Sequence, residues 1–274
     1  MTALWRYGRA ASQVGQVFQF PVATNSQPGR VSTLTLSRFH SSASSTPSPP
    51  LIYPDQPRSV KHNDLPSFLR YAERAGLDTG STTYVGTHYE YSIAKHLVPV
   101  GFFLRRVGGA SDRGIDLLGT WTLPHPAPSM EPLRVILQCK AGAGQRIGPN
   151  LVRELEGAFI GAPVGWRTRV GLGNSDGNDE ASPTVIGVLV TEKPATKGIR
   201  DALARSRWPL LYIYCPSAGH VQQMLWNQQA EKTCGLAGLG VTLRHATDEA
   251  EGAYTHVVLT WQGRPLQQVS SQSE

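Results

Sequence analysis

Acidic residues are missing from the first 54 positions, which hold Arg6, Arg9, Arg30 and Arg38 but no Asp or Glu. That gap changes the meaning of the formal net charge of +6 over 274 residues. Four of the 26 basic side chains lie in it, leaving 22 to face all 20 acidic ones. The basic pI therefore reports the N-terminal stretch and is weak ground for inferring a polyanion partner. Cysteine is scarce as well. Cys139, Cys215 and Cys234 are odd in number and far apart, with no CxxC pair and no Cys/His cluster at zinc spacing. A disulfide framework and a structural zinc site are thereby excluded, and reduced structural thiols are expected. Long apolar runs are absent too: Leu97–Leu104 is broken by Pro99 and Gly101, and Val185–Val190 is too short. No segment reaches the ~18 residues from which a membrane span is read, so none is expected. Internal repeats and a Walker-type phosphate loop are also missing.

What is present begins with an address. Residues 1–40 are acid-free, arginine-bearing and rich in Ser, Thr and Ala, the composition of a mitochondrial presequence. Leu4, Trp5, Val14, Val17 and Phe18 can share one side of a short helix that shows Arg6, Arg9 and Gln13 on the other. Such a segment is expected to act as a transit peptide, which implies a mitochondrial, matrix location; the bland alternative is a merely floppy tail. Residues 41–58, which include Ser41-Ser-Ala-Ser-Ser-Thr-Pro-Ser-Pro-Pro50, offer almost nothing to bury and read as a disordered spacer. Glycine (28) and proline (20) are plentiful, so long loops are expected.

From residue 59 to 265 the pattern is that of one α/β domain. Asp64 to Gly76 carries helix punctuation at both ends, with Pro66 in the first turn and Gly76 as the stop; Leu65, Phe68, Leu69 and Ala72 line its packed face. A second helix is expected from Thr87 to Val98, with Tyr89, Ile93 and Leu97 at four-residue steps. Glu90 on it has two readings. Thr87-x-x-Glu90 fits a capping box, and spacing alone favours that duty. The other reading turns Glu90 toward a metal site, as a distal ligand or a partner for a lysine.

Three strands follow, at Phe102–Val107, Gly114–Trp121 and Leu133–Cys139, and Pro124, Pro126, Pro128 and Pro132 force a long loop between the last two. Alternation along the third strand puts Gln138 and Lys140 on one face and Leu137 and Cys139 on the other. With the third strand beside the second, Asp116, Gln138 and Lys140 converge at one sheet edge. Asp116 offers an anionic oxygen, Gln138 a neutral one, and the backbone carbonyl of Cys139 a third. Hard divalent cations prefer such ligands, and Lys140 is suited to orient a water or stabilise developing charge. Taken singly, Asp116 is an ordinary turn residue and Lys140 a solvated strand end. The order of the elements makes the constellation specific.

Tyr89-Glu90 on a helix, Gly101-Phe102, Asp112-x-Gly-Ile-Asp116-Leu and Gln138-Cys-Lys140 resemble the Mrr-type branch of the restriction-endonuclease-like PD-(D/E)XK nucleases, over about residues 85–160. With the presequence, the chain resembles in particular the fungal mitochondrial group named "required for respiratory growth protein 7". The resemblance implies a restriction-endonuclease-like core of helix, three-strand meander, helix and strand, in a mixed central sheet flanked by helices. It implies Asp116 as the metal-binding aspartate, Gln138 in place of the usual acid, Lys140 as the catalytic lysine and Glu90 as the first-helix glutamate. Asp112 matches an acidic turn position. Mg2+ or Mn2+ is the cofactor implied, DNA the nucleic acid expected, and respiratory growth or mitochondrial genome maintenance the setting. The rival expectation is a nuclease fold without turnover, serving as a mitochondrial binding or assembly factor.

A helix with Leu151, Leu155 and Phe159 at i+4 follows from Asn150, its expected cap, to Ile160. Arg105, Arg106, Arg113, Arg146 and Arg153 are candidate phosphate contacts, although each alone reads as a solvated basic residue. Residues 161–183, glycine-rich and polar, read as an inserted mobile loop, with acids too poorly spaced for a calcium site. Strand, helix and strand at Thr184–Val190, Lys197–Arg205 and Leu210–Tyr214 favour a parallel extension of the sheet. A further helix is expected from Val221 to Lys232, closing strands at Val241–Arg244 and Thr255–Trp261, and a polar tail at 266–274.

Overall fold

Helix α1 (Leu65–Ala75) is closed at both ends by its own sequence. Asp64 accepts from the Ser67 backbone NH at 2.7 Å, the Asp64 NH donates back to the Ser67 hydroxyl at 3.1 Å, and Gly76 turns out of the helix at φ 60°. Phe68 and Ala72 carry the packing, whereas Leu69 is exposed, contrary to expectation. The computed structural model to which these helices belong describes residues 51–54, 61–108, 114–123, 131–142, 144–167, 184–248 and 252–267. The expected presequence and most of the expected spacer lie outside the described residues. So do Asp112, Arg113, residues 124–130 of the proline interval, residues 168–183 of the expected insertion and 268–274 of the tail.

Helix α2 (Thr82–His96) starts at Thr82, not Thr87. Its cap is Ser81, whose hydroxyl accepts from the Tyr84 NH at 3.2 Å, and Thr87 is buried mid-helix. The capping-box reading of Glu90 is thereby overturned. The extra turn has a packing cause: it presents Tyr84 to Phe68 of α1 at 5.3 Å between ring centroids, with Tyr91 at 6.1 Å on the same ring. A short 3-10 turn at Val98–Val100 and Gly101, at φ 93°, lead into the sheet. A side chain at Gly101 would meet the Thr122 carbonyl at 2.2 Å, so glycine is required there on both counts.

Six strands form the main sheet in sequence order: β1 (Phe102–Arg106), β2 (Leu117–Trp121), β3 (Leu133–Lys140), β4 (Val185–Thr191), β5 (Leu210–Tyr214) and β6 (Gln223–Trp226). The first three pair antiparallel, β3, β4 and β5 are parallel, and β6 is antiparallel to β5. The expected parallel extension is therefore present. Its crossovers are α3 (Pro149–Gly161) and α4 (Lys197–Arg205), which pack on the same face, as right-handed connections in sequence require. Gly148, not Asn150, caps α3, and Pro149 occupies its first turn.

Strand alternation divides the core. Leu133, Val135 and Leu137 of β3 pack with Tyr89, Ile93 and Leu97 of α2, while Ile136 packs with Leu151, Leu155 and Phe159 of α3.

The helix expected from Val221 to Lys232 is replaced by β6 and the short α5 (Gln228–Thr233). The open edge of β5 takes up Gln223–Trp226, and Asn227 then ends the strand and caps the helix. The closing strands form a sheet of their own. In it β7 (Leu239–Asp248) and β8 (Gly252–Trp261) make a hairpin, and β9 (Arg264–Pro265) pairs with β8. Leu239, Val257 and Leu259 join the core on the α2 face, and the Val257 NH donates to the Val221 carbonyl at 2.7 Å.

Candidate functional site

The parallel strands β3, β4 and β5 end along one edge of the sheet, where open α/β sheets hold their ligands. Asp116 arrives at that edge from the start of β2. Its carbonyl accepts from the backbone NH groups of Val107 and Gly108 at 2.8 and 2.9 Å, and its NH donates to Leu137 at 2.9 Å. A side chain at Gly108 would come within 3.2 Å of the Asp116 Cα and 3.4 Å of Oδ1, so the glycine lets the two turns close. The Asp116 Oδ2 accepts from the Cys139 NH at 2.7 Å, which aims the carboxylate across the end of β3. The register that pairs Leu117 with Leu137 sets Asp116 beside Gln138.

Gln138 is 5% exposed, and its Oε1 is buried with no hydrogen-bond partner. A buried amide oxygen left in that state costs roughly 1–3 kcal/mol. Gly114, at φ 79°, lies against the other end of the amide, and a side chain there would touch Nε2 at 3.4 Å. Lys140, two residues on, shares the α3 side of the strand with Gln138, and its Nζ pairs with Glu154 Oε2 of α3 at 3.1 Å. Glu154 is in turn bonded from Asn150 Nδ2 at 3.3 Å.

Glu90 approaches the same strand end from α2, on the opposite face of the sheet. It forms an ion pair with Arg106, whose guanidinium also lies over the Tyr91 ring at 5.5 Å. Cys139 stands between the two acidic groups. Burial pushes its thiol well up, and the charges of Asp116 and Glu90 push it further. The Cys139 side chain packs on the α2 face, opposite Gln138, so any donor that this residue offers beside Asp116 and Gln138 is its carbonyl. Among the described residues no three His, Cys, Asp or Glu side chains gather where they could hold a metal ion. The oxygens that fit a hard cation are therefore the Asp116 carboxylate and the partnerless Gln138 Oε1, with the Cys139 carbonyl adjacent. A donor set of one charge and neutral oxygens suits an ion that retains several waters.

The arginines fall into different places. Arg105 and Arg106 alternate to opposite faces of β1, with Arg105 exposed and Arg106 committed to Glu90. Arg146 lies exposed in the loop after β3, and Arg153 is exposed on α3 beside Glu154. Two carboxylates at this edge escaped the sequence reading. Glu154 reaches Lys140 only through the crossover, which no local spacing reveals. Glu192, directly after β4, accepts from the Gly142 NH at 2.6 Å and from the Ser217 hydroxyl, tying together the loops that follow β3 and β5. An acid directly after a wholly buried strand is the signal that could have found it.

The model of the family described as Required for respiratory growth protein 7 matches residues 81–131 and 124–236, more than half of the chain. The chain belongs to this family. The match takes in α2, all six strands of the main sheet and α3 to α5, and so contains the whole candidate site. An uncharacterised mitochondrial protein of Schizosaccharomyces pombe is 31% identical over 175 residues, 63% of this chain and 62% of its own length. The Required for respiratory growth protein 7 of Eremothecium gossypii is 33% identical over 138 residues, 38% of this chain and 57% of the relative. That of Saccharomyces cerevisiae strain S288c is 26% identical over 132 residues, 34% and 54% of the two chains. All three are named mitochondrial. The chain thus spans only 54–62% of the length of these curated relatives. No solved structure matches significantly, and among the described residues no helix is long and apolar enough to cross a membrane.

Proposed function

We propose that α2 through β4 form a restriction-endonuclease-like core of the Mrr-type PD-(D/E)XK branch. In this reading the protein is a mitochondrial, matrix nuclease that hydrolyses phosphodiester bonds in DNA with Mg2+ or Mn2+. Its place in the cell is respiratory growth or mitochondrial genome maintenance, in keeping with the names of its relatives. The carrying observation is the buried, partnerless Oε1 of Gln138 beside the Asp116 carboxylate, on the strand that also bears Lys140. A buried amide oxygen that no protein donor satisfies is open to a ligand, and the carboxylate set beside its residue by the strand register favours a cation there.

When bound, a divalent ion supplies charge neutralisation at the phosphate and a more acidic water. The chain's own residues supply the rest. Asp116, oriented by the Cys139 NH, and Gln138 would hold the ion. Lys140 offers an ammonium for the charge that develops on the phosphate oxygens, and its pairing with Glu154 fixes its direction. Glu90 orders Arg106 at the opposite face of the same edge, a positioning duty. Arg105, Arg146 and Arg153 remain as exposed phosphate contacts.

A second reading draws on the same lysine. Lys140 is already neutralised by Glu154 at 3.1 Å, which favours a protein that binds nucleic acid or assembles with partners and does not cut.

A cleavage assay on mature protein, with DNA and RNA and with Mg2+, Mn2+ or EDTA, separates the two. Divalent-dependent cutting abolished by both Asp116→Ala and Lys140→Ala is the expected result. Absence of cutting on either polymer, together with normal respiratory growth of cells carrying either variant, would reject catalysis.

A further inference from the structure

The outer edge of β1, unpaired among the described residues, carries an open groove lined by Tyr53, Ala94, Val98, Phe103, Leu104 and Arg105. It encloses about 360 Å³, near the lower end of the roughly 300–1,000 Å³ in which small ligands are held. Its chemistry is unusual for a surface hollow. Phe103 is 47% exposed although it sits in a strand. Arg105 lies over the Tyr53 ring at 5.3 Å, and Tyr53 is anchored from behind by Trp166 at 5.0 Å between centroids. Among the described residues, none that lines the groove is acidic and Arg105 forms no ion pair. The cation is thus held in place by an aromatic ring and left available to an anion.

The groove is also in line with the candidate site. Arg105 pairs in register with Leu118, and Leu118 with Ile136, so the three side chains share the α3 face of the sheet. The next row toward the strand ends holds Asp116 and Gln138. We propose that this groove is a stacking subsite for single-stranded DNA. An unpaired base would lie on Phe103, with its phosphate on Arg105, while the strand continues toward Asp116. An exposed aromatic with an adjacent cation is how proteins grip single strands without reading sequence. Paired bases cannot reach such a ring, so the subsite selects single-stranded or frayed DNA. A peptide adding to the β1 edge is the weaker occupant, because a five-residue edge strand carrying exposed charge is built to refuse strand addition. The proposal rests on the reading that this chain acts on nucleic acid, and it specifies which form.

The test is fluorescence anisotropy in EDTA at low salt, with a labelled oligothymidylate, a duplex of equal length and an oligoribonucleotide of the same length. Wild type is compared with Phe103→Thr, Phe103→Trp and Arg105→Gln, each checked by thermal melting. Phe103→Thr should weaken single-strand DNA binding about tenfold, the effect of losing one stacked base, and Arg105→Gln should weaken it about as much through the lost phosphate contact, an effect that salt diminishes. Phe103→Trp should retain it, and duplex binding should be the same in Phe103→Thr, Phe103→Trp and wild type. If wild type binds the single strand and Phe103→Thr binds equally well, the groove is not the subsite, whatever becomes of the nuclease reading. Binding confined to the oligoribonucleotide overturns the DNA assignment. If wild type neither binds nor cuts any of the three, the underlying reading fails and this proposal with it.

Discussion

Gln138 holds a buried polar atom that the folded chain does not satisfy. Its Oε1 is buried and partnerless, so in the metal-free protein it is a liability of roughly 1–3 kcal/mol. Gln138→Met keeps the length of the side chain and removes the polar atoms. The metal-free variant should gain about 1 kcal/mol, a rise in Tm of roughly 2–4 °C for a domain of this size. Any upward shift that Mg2+ or Mn2+ produces in wild type should vanish in it. Thermal scans with and without metal check both halves, and a variant that melts lower would mean that Oε1 has a partner in solution. Lys140 and Glu154 permit a second prediction. Their pair is partly exposed, so Glu154→Gln should change stability by no more than about 1 kcal/mol. It also releases the ammonium for phosphate, and low-salt DNA binding in EDTA should tighten about threefold, an advantage that salt screens away. Unchanged or weakened binding would mean that Lys140 does not face the DNA. Of this site, Asp116, Gln138 and Lys140 were legible because strand alternation and order alone bring them to one edge. Glu154 was not, since a crossover helix delivers it, and the spacing Thr87-x-x-Glu90 mimics a capping box although Ser81 caps the helix.

At the scale of elements, Asn227 decides a boundary. Its side chain accepts from the Leu210 NH at 3.1 Å and the Ala230 NH at 2.9 Å, and donates to the carbonyls of Leu203 at 3.1 Å and Trp208 at 2.8 Å. One buried amide thus joins α4, β5, β6 and α5. Asn227→Ala leaves several buried groups unsatisfied and should cost roughly 3 kcal/mol or more, measurable by urea denaturation. A loss below about 1 kcal/mol would mean that water replaces the amide. The same residue explains why Val221 to Lys232 reads as one helix in the sequence. Met224, Leu225 and Trp226 are consecutive apolar residues that suit either period, and only the vacant edge of β5 selects the strand. Elsewhere the local signals agreed with the fold. Gly76 ended α1, and the apolar repeats at Tyr89, Ile93 and Leu97 and at Leu151, Leu155 and Phe159 marked the buried faces of α2 and α3. The separate sheet of β7 and β8 was illegible, because strand pattern carries no address for the sheet that receives it.

Across the whole molecule, two histidines far apart in sequence make stability depend on pH in the same direction. His62 bonds the Tyr91 hydroxyl through Nδ1 at 2.8 Å and packs on Phe68 at 5.0 Å, joining the segment before α1 to α2. His256 of β8 has a buried, partnerless Nδ1 and lies 6.2 Å from the ring of His220. Burial lowers the pKa of each below 6.5, helped by Arg106 at His62 and by His220 and Arg244 at His256. Between 6.5 and the lowered values the unfolded chain carries more protons than the folded one. Stability is therefore full above pH 6.5 and declines as pH falls through that window. The carboxylates Asp64 and Asp201 have pKa values held below 3.8 by hydrogen bonds to Ser67 and Lys197. Their contributions are lost only nearer that pH and do not confuse the test. Tm measured at pH 7.5, 6.5 and 5.5 should fall in wild type and fall less in His62→Asn, His256→Asn and most clearly the double variant. Parallel curves for wild type and double variant would reject both histidines as the source. A decline removed by His256→Asn alone would assign the sensitivity to the contact between β8 and the loop before β6.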